Sequence, residues 1–371
     1  MIPLAKPVIN ESDIRAVMSV LRSEDGRLAM GPHTRLLEDA LCQAAGCSHA
    51  IAVSSGTSAL HLVVRALGLG SGDEVITTPF SFVSSANCIL FEGATPVFVD
   101  IEPDTLCIDP QQVTAAITPR TRAILAVDVF GHPADWTALQ QIAAEHDLLL
   151  IEDSAESLGS ELDGKRAGSL GTAGIFGFYP NKQITTGEGG AVVTDDDEVA
   201  RLCRSMANQG VDAADWLRHR KLGYNYRMDE MSAALGASQL QRLDERMAAR
   251  SQVAAWYEKA LSPIDGLILP KVRPGVRMSW FVYVVRLADR YTREDRDHLL
   301  EALRAHEIGC SDYFPPIHLM PFIREALNTR PGQYPIAEGA GERSVALPFF
   351  PQMTERQVEI VATTLSEALR S

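Results

Sequence analysis

With 371 residues, the chain exceeds the roughly 250 to 300 that one hydrophobic core usually supports, so a large domain with a smaller companion is expected. Hydrophobic residues at 46% and charged residues at 22% exclude an intrinsically disordered chain. The net charge of -14 is spread along the sequence, which argues against a nucleic-acid or anionic-membrane partner, and no run of about 18 apolar residues offers a membrane span.

The amino end, MIPLAKPVINESDI, has no long apolar region and no cleavage signature, so an extended arm and a cytoplasmic location are expected. Ile14, Val17, Met18 and Leu21 recur at helical spacing and predict a first amphipathic helix over 11–22. Gly26 and Gly31 interrupt it before a second helix over 34–45. From residue 49 short apolar runs alternate with helical segments. Strands are predicted at 50–53, 74–77, 96–100, 122–127 and 148–151, with a helix after SSGTS that ends at Gly68, a segment over 80–91 and a helix over 134–146. This rhythm predicts an α/β domain with a mostly parallel sheet, whose sites lie at the carboxyl ends of the strands. Ser54 to Ser58, Pro79 to Phe82, Asp128 and Asp153 to Glu156 should then meet in one crevice.

Two further apolar runs, 175–179 and 191–193, flank Lys182 and the turn Gly187, Glu188, Gly189, Gly190. A loop lysine is most often solvated. Here Pro180 fixes the backbone before it, Thr185 and Thr186 offer hydroxyls, and the glycines permit a tight return, so an amine held for Schiff-base chemistry is the competing reading. Helical signal returns over 229–261 as two helices or one bent one. A proline- and glycine-rich stretch over 262–280 marks the crossing into a second domain, which gives 1–250 and 251–371 as the two units. That second unit should hold a strand at 281–285, a helix at 293–306, an ordered non-helical loop at YFPPIHLMPF and a last helix at 355–369.

Gly56, Thr57 and Ser58 stand at a strand-to-helix junction, where spare amides and the helix dipole favour a phosphate; simple N-capping explains the same residues. Neither the Walker nor the dinucleotide fingerprint fits. Asp153 follows a buried apolar run and needs a cation, either an arginine or a protonated pyridine nitrogen. Phe82 either fills the core or stacks on a flat cofactor. Asn225, between two tyrosines, reads as a turn residue at a contact surface. Six scattered cysteines without a CxxC pair and nine histidines without an HExxH cluster predict no metal and no disulfide framework.

Taken in order, IPLAKPVI, MGPHTRLLEDAL, AVSSGTSALHL, GDEVITTPFSFVSSAN, GATPVFVDIEPDT, IEDSAESLGS, FGFYPNKQITTGEGGAVVT and LGYNYRMDEMSAALGASQL resemble, nearly end to end, the DegT/DnrJ/EryC1/StrS family of nucleotide-sugar aminotransferases. The resemblance implies fold type I, the aspartate aminotransferase fold: a large domain with a mostly parallel seven-stranded sheet flanked by helices, plus a smaller C-terminal α/β domain. It implies pyridoxal 5'-phosphate as cofactor, bound by Lys182 as a Schiff base, with Asp153 on the pyridine nitrogen and Phe82 stacked on the ring. Gly56, Thr57 and Ser58 would hold the phosphate. Asn225 would reach the phosphate of the neighbouring subunit's cofactor, so the active unit is expected to be a homodimer with shared sites.

Two positions depart from the commoner pattern. Glu156 stands where glutamine is frequent beside the cofactor's 3'-oxygen, which requires it to be protonated or turned away. Gly177 stands where many members carry a serine that donates to the phosphate. The reaction expected is a ping-pong transamination with L-glutamate as donor and a nucleotide-linked 4-keto-6-deoxyhexose as acceptor, because NKQITTGEGG resembles perosamine-type enzymes; a 3-keto sugar or keto-cyclitol is the close competitor. Tyr313 and His318 are candidate acceptor contacts, with simple packing of their loop as the alternative. A dehydratase of this fold typically carries histidine at the lysine position, which Lys182 disfavours. A non-catalytic cofactor-dependent sensor is disfavoured by the lack of a DNA-binding module or basic patch.

Overall fold

The computed structural model describes residues 1–211 and 218–370. Its centre is a seven-stranded sheet built from β1 (His49–Val53), β2 (Glu74–Thr77), β3 (Thr95–Phe98), β4 (Thr121–Val127), β5 (Leu149–Asp153), β8 (Ala173–Gly177) and β9 (Gly190–Thr194). Two short strands, β6 (Glu161–Leu162) and β7 (Lys165–Arg166), lie between β5 and β8 and belong to a separate small sheet. The large sheet runs β1-β9-β8-β5-β4-β2-β3. Only β9 pairs antiparallel with its neighbours, which leaves the other six strands parallel.

Parallel strands are covered on both faces by helices, so they read as continuous apolar runs instead of alternating ones. β4 shows this: Ala123, Ile124, Leu125 and Ala126 are all fully buried. The helix after β1, Gly56–Ala66, begins where Ser55 leaves extended geometry and accepts the Ser58 amide, and it buries Leu60, Leu62, Val63 and Val64 against the sheet. It starts several residues earlier than the apolar spacing alone indicates.

The C-terminal part adds β10 (Leu267–Ile268), β11 (Val276–Arg277), β12 (Tyr283–Leu287) and β13 (Ser344–Leu347), with β10, β12 and β13 forming an antiparallel sheet. Successive side chains of a strand face opposite ways. On β12, Val284 joins the core of the large sheet, while Tyr283 and Val285 join a second core with Tyr257, Leu303, Val358 and Leu365. The helix Leu243–Leu261 enters that second core from Val253 onward, so residue 250 falls inside a helix and not in a linker. The amino-terminal arm also lies on this side: Ile2 is in the second core, and Phe349 donates its amide to the Leu4 carbonyl (2.9 Å).

Most strand and helix positions agree with the expected ones to within a few residues. YFPPIHLMPF is corrected. Its middle is a 3-10 turn, Ile317–Leu319, and Pro321 opens a helix to Leu327, because proline at the first helical position sacrifices no hydrogen bond. Three helices not anticipated above are Pro110–Ala116, Asp197–Ala207 and Pro335–Arg343.

Candidate active site

A cavity of about 530 Å³ opens at the carboxyl ends of the parallel strands. Ser55, Gly56 and Thr57 come to it from the end of β1, Ser81 and Phe82 from the segment after β2, Asp153 and Glu156 from the end of β5, and Lys182 from the loop between β8 and β9. Gly189, Phe281 and Tyr313 complete the wall. Residues dispersed over more than half of the chain are thus brought together by one sheet edge.

Lys182 is not a solvated surface residue. Its Nζ lies 3.4 Å from Glu156 Oε1 and 3.9 Å from the centroid of the Phe281 ring. Its backbone is fixed by neighbours: the Arg250 guanidinium donates to the carbonyls of Lys182, Trp280 and Phe281, each at 3.1 Å. The adjacent Gln183 amide reaches Glu156 O and Ser279 Oγ. Thr185 and Thr186 do not face the amine. Their hydroxyls donate to the Phe178 and Glu188 carbonyls and so shape the glycine turn.

Asp153 closes β5 and is 5% exposed. Its Oδ2 accepts from Ser85 Oγ (2.9 Å) and its Oδ1 from the Ala155 amide (3.2 Å). Burial pushes its carboxyl above the usual range; Ser85, Ala155 and the Lys182 charge act the other way. Both partners are neutral donors, so the arginine that would have satisfied this acid structurally is not what holds it. A buried carboxylate with room beside it retains capacity for a cation. Ser85 in turn bonds Ser81 (2.8 Å), whose side chain lines the cavity.

Glu156 accepts from the Phe130 amide at Oε2 (2.9 Å), which leaves Oε1 on the cavity side toward Lys182. Its carboxyl is raised by burial and lowered by the lysine. It is not turned out of the site. Phe82 lines the cavity with 63% of its surface exposed, so it does not fill the core. Ser55 caps the helix by accepting from Ser58 N (3.0 Å), the Ser58 hydroxyl is engaged with Ser55 and Ser54, and Thr57 Oγ1 pairs with Ser84 Oγ (2.7 Å). Capping therefore uses the Ser58 amide, and Gly56 and Thr57 retain the first-turn amides that an α-helix leaves over.

The other expected positions fall as follows. Tyr313 lines the cavity, its phenol pushed up to about 12 by burial and by Glu156. His318 does not reach it: the ring is fully buried, bonds Glu338 (3.0 Å) and packs edge-on to Tyr334. The loop turns it inward because Ile317 donates to the Pro79 carbonyl and sinks into a small cluster with Phe98 and Ile323. Asn225 is exposed and outside this cavity, while the rings of its two sequence neighbours, Tyr224 and Tyr226, stack on each other (4.8 Å, 9°). Asp128 also lies outside it. Val127 takes the cavity side, so the alternation of the strand sends Asp128 to the other face. Ser81 lies in the stretch Pro79 to Phe82 expected at the crevice, whereas Ser85, Arg250 and Phe281 were not singled out above, and of these only Phe281, opening a predicted strand, had any local signal.

The residues fit pyridoxal 5'-phosphate. A buried acid without a cation, an exposed ring, a helix amino terminus and an enclosed lysine surround one cavity. The chain is also similar to known proteins along its whole length. The profile of the DegT/DnrJ/EryC1/StrS aminotransferase family matches residues 7–366. Spore coat polysaccharide biosynthesis protein SpsC of Bacillus subtilis is 36% identical over 380 residues, which span 100% of this chain and 97% of SpsC. Among solved structures, DesV of S. venezuelae has a TM-score of 0.90 at 36% identity and covers 97% of this chain and 94% of its own. Helicobacter pylori PseC, an aminotransferase involved in the biosynthesis of pseudoaminic acid, has a TM-score of 0.94 at 30% identity, with 100% and 99% covered.

Proposed function

This chain belongs to the DegT/DnrJ/EryC1/StrS aminotransferase family, and we propose that within it the protein moves an amino group from L-glutamate to a nucleotide-linked 4-keto-6-deoxyhexose, forming a 4-amino sugar. It is a pyridoxal phosphate-dependent sugar aminotransferase. The position aminated and the amino donor are the proposal. The observation that carries the reading is the enclosure of Lys182 Nζ between Glu156 and the Phe281 ring, in the cavity that Asp153 also lines.

Pyridoxal 5'-phosphate, when bound, supplies an aldehyde that takes up amino groups and a ring that draws electrons from the reacting carbon. Lys182 is the residue placed to hold it and, as a free amine, to carry a proton at Nζ. Asp153, buried and with only neutral donors on its oxygens, is placed to hold a protonated ring nitrogen. Ser85 orients that carboxyl. Phe82 would offer its face to the ring, and Gly56 and Thr57 would offer amides to the phosphate. The aromatic wall of Phe82, Phe281 and Tyr313 limits water around the lysine.

The second subunit enters the same reading. Asn225 is exposed and away from its own cavity, and Leu28, Met30, Leu36 and Leu222 present large apolar side chains to solvent, which supports a homodimer in which Asn225 serves the partner's site. The favoured acceptor rests on the resemblance of NKQITTGEGG to perosamine-type enzymes. A panel of nucleotide-linked keto sugars, offered to protein preloaded with pyridoxamine phosphate, tests it. The 4-keto-6-deoxyhexoses should turn over with the highest kcat/KM; preference for a 3-keto sugar or a keto-cyclitol contradicts the assignment.

A further inference from the structure

Behind Asp153, on the face of the sheet away from the cavity, two more carboxyls are completely buried. Asp128 and Glu152 are both 0% exposed, and Ser154 between them is 1% exposed. Ser154 Oγ lies 2.6 Å from Asp128 Oδ2 and 2.7 Å from Glu152 Oε1. A serine hydroxyl has one hydrogen, so it donates to one of these oxygens only. With both acids ionised, the other short contact would set a lone pair against a lone pair. The geometry needs a second hydrogen, and a carboxyl must supply it.

The remaining contacts decide which acid carries it. Glu152 accepts from three backbone amides, Gly168 at Oε1 (2.5 Å) and Leu170 (2.7 Å) and Gly171 (3.3 Å) at Oε2. Both of its oxygens are committed as acceptors, the pattern of an anion. Asp128 uses Oδ1 for the Ala134 amide (2.8 Å) and the Trp136 indole (2.9 Å), which leaves Oδ2 for Ser154, with the Glu152 carboxyl also within hydrogen-bonding reach of Asp128. The groups facing Asp128 are Glu152 from β5, Ser154 and Ser157 after it, Trp136, and the thiol of Cys107 from the crossover before β4, itself pushed up to about 12 by burial and by Asp128. None of these carries a positive charge.

We propose that the chain Asp128, Ser154, Glu152 stores one proton on Asp128 and one negative charge on Glu152, and that this neutral carboxyl is a positioning group for the strand end that carries Asp153. The hydrogen-bond run is then complete: Asp128 donates to Ser154, and Ser154 donates to Glu152. Asp128 also donates its amide to the Asp153 carbonyl (3.1 Å), and Val127 pairs in register with Asp153, so the proton joins β4 to β5 one residue from the acid in the cavity. Ionising Asp128 would place two charges on one hydroxyl and separate these strand ends. Burial, and then the Glu152 charge, hold the Asp128 carboxyl well above its ordinary range, in the same direction. A group raised in the folded state contributes stability that is complete at low pH and lost as pH rises through the folded value.

The two amide variants behave oppositely if this is right. Asp128→Asn keeps an acceptor for Ala134 and Trp136 and a donor for Ser154, whereas Glu152→Gln sets a new N–H group against backbone amides. On the cofactor-loaded protein at neutral pH, Asp128→Asn should melt within about 2 °C of wild type and Glu152→Gln at least about 5 °C lower. The wild-type minus Asp128→Asn infrared difference spectrum should contain the carbonyl stretch of a neutral carboxylic acid. The melting point of wild type should also fall relative to Asp128→Asn as pH rises. Asp128→Ala, which removes the donor, should weaken pyridoxal phosphate binding about tenfold, while Asp128→Asn stays within about twofold. An absent carboxylic-acid band, or Asp128→Asn melting as low as Glu152→Gln, overturns the proposal.

Discussion

Gly177 ends β8 at the cavity wall, where the family pattern often carries a serine that donates to the cofactor phosphate. A Cβ built there meets Ala155 Cβ at 3.5 Å and Ala155 O at 3.7 Å, ordinary contacts, so bulk does not forbid the serine. Gly177→Ser should therefore melt within about 2 °C of wild type and bind pyridoxal phosphate about fivefold more tightly, the worth of one added hydrogen bond. Weaker binding in an equilibrium titration would show that the phosphate does not lie beside residue 177. At this scale the sequence was informative where chemistry alone constrains a side chain. Asp153 needs a partner wherever it is buried, and Lys182 stands out in a glycine-rich loop. It was silent on Ser85 and Arg250, because a serine in a helix and an arginine among arginines have no local mark, and their roles arise from contacts with residues 153 and 182. His318 shows the reverse: it was a candidate acceptor contact with packing as the alternative, and a turn at Ile317 buries it.

Among the elements, β8, the lysine loop and β9 were legible because two apolar runs with glycines between them have few other solutions. Why the glycines are there was only half legible. Gly187 has φ +84, as a tight turn requires, but Gly190 serves a distant contact: a Cβ on it would lie 2.5 Å from Gly56 N and from the Ser55 carbonyl carbon. β9 thus presses directly on the helix start proposed to hold the phosphate. No window of sequence contains both residues. The missed helices differ in kind, since their signals were present. Asp196 caps Asp197–Ala207, which buries Val199, Cys203 and Met206, and Asp109 caps Pro110–Ala116 with proline at its first position. Cap chemistry marks these helices more clearly than their apolar spacing does.

Across the whole molecule, the parallel order of strands was readable from the alternation of runs, but the sharing of β12 between two cores was not, because it depends on which way each side chain of that strand turns. The same holds for assembly. Under the homodimer reading, subunits of Lys182→Ala and Asn225→Ala are each impaired alone, for different reasons, and a reassorted mixture should regain activity, since one site then has both residues intact. No recovery after verified subunit exchange would remove Asn225 from the partner's site. The central claim, that the cavity around Lys182 is where amino groups are transferred, is tested most directly by one half-reaction. Cofactor-loaded protein is given L-glutamate without acceptor, and 2-oxoglutarate is counted against the loss of visible cofactor absorbance. The account predicts about one 2-oxoglutarate per subunit, accompanied by that loss, and neither change in Lys182→Ala. An unchanged spectrum with glutamate, or full conversion in Lys182→Ala, would contradict it.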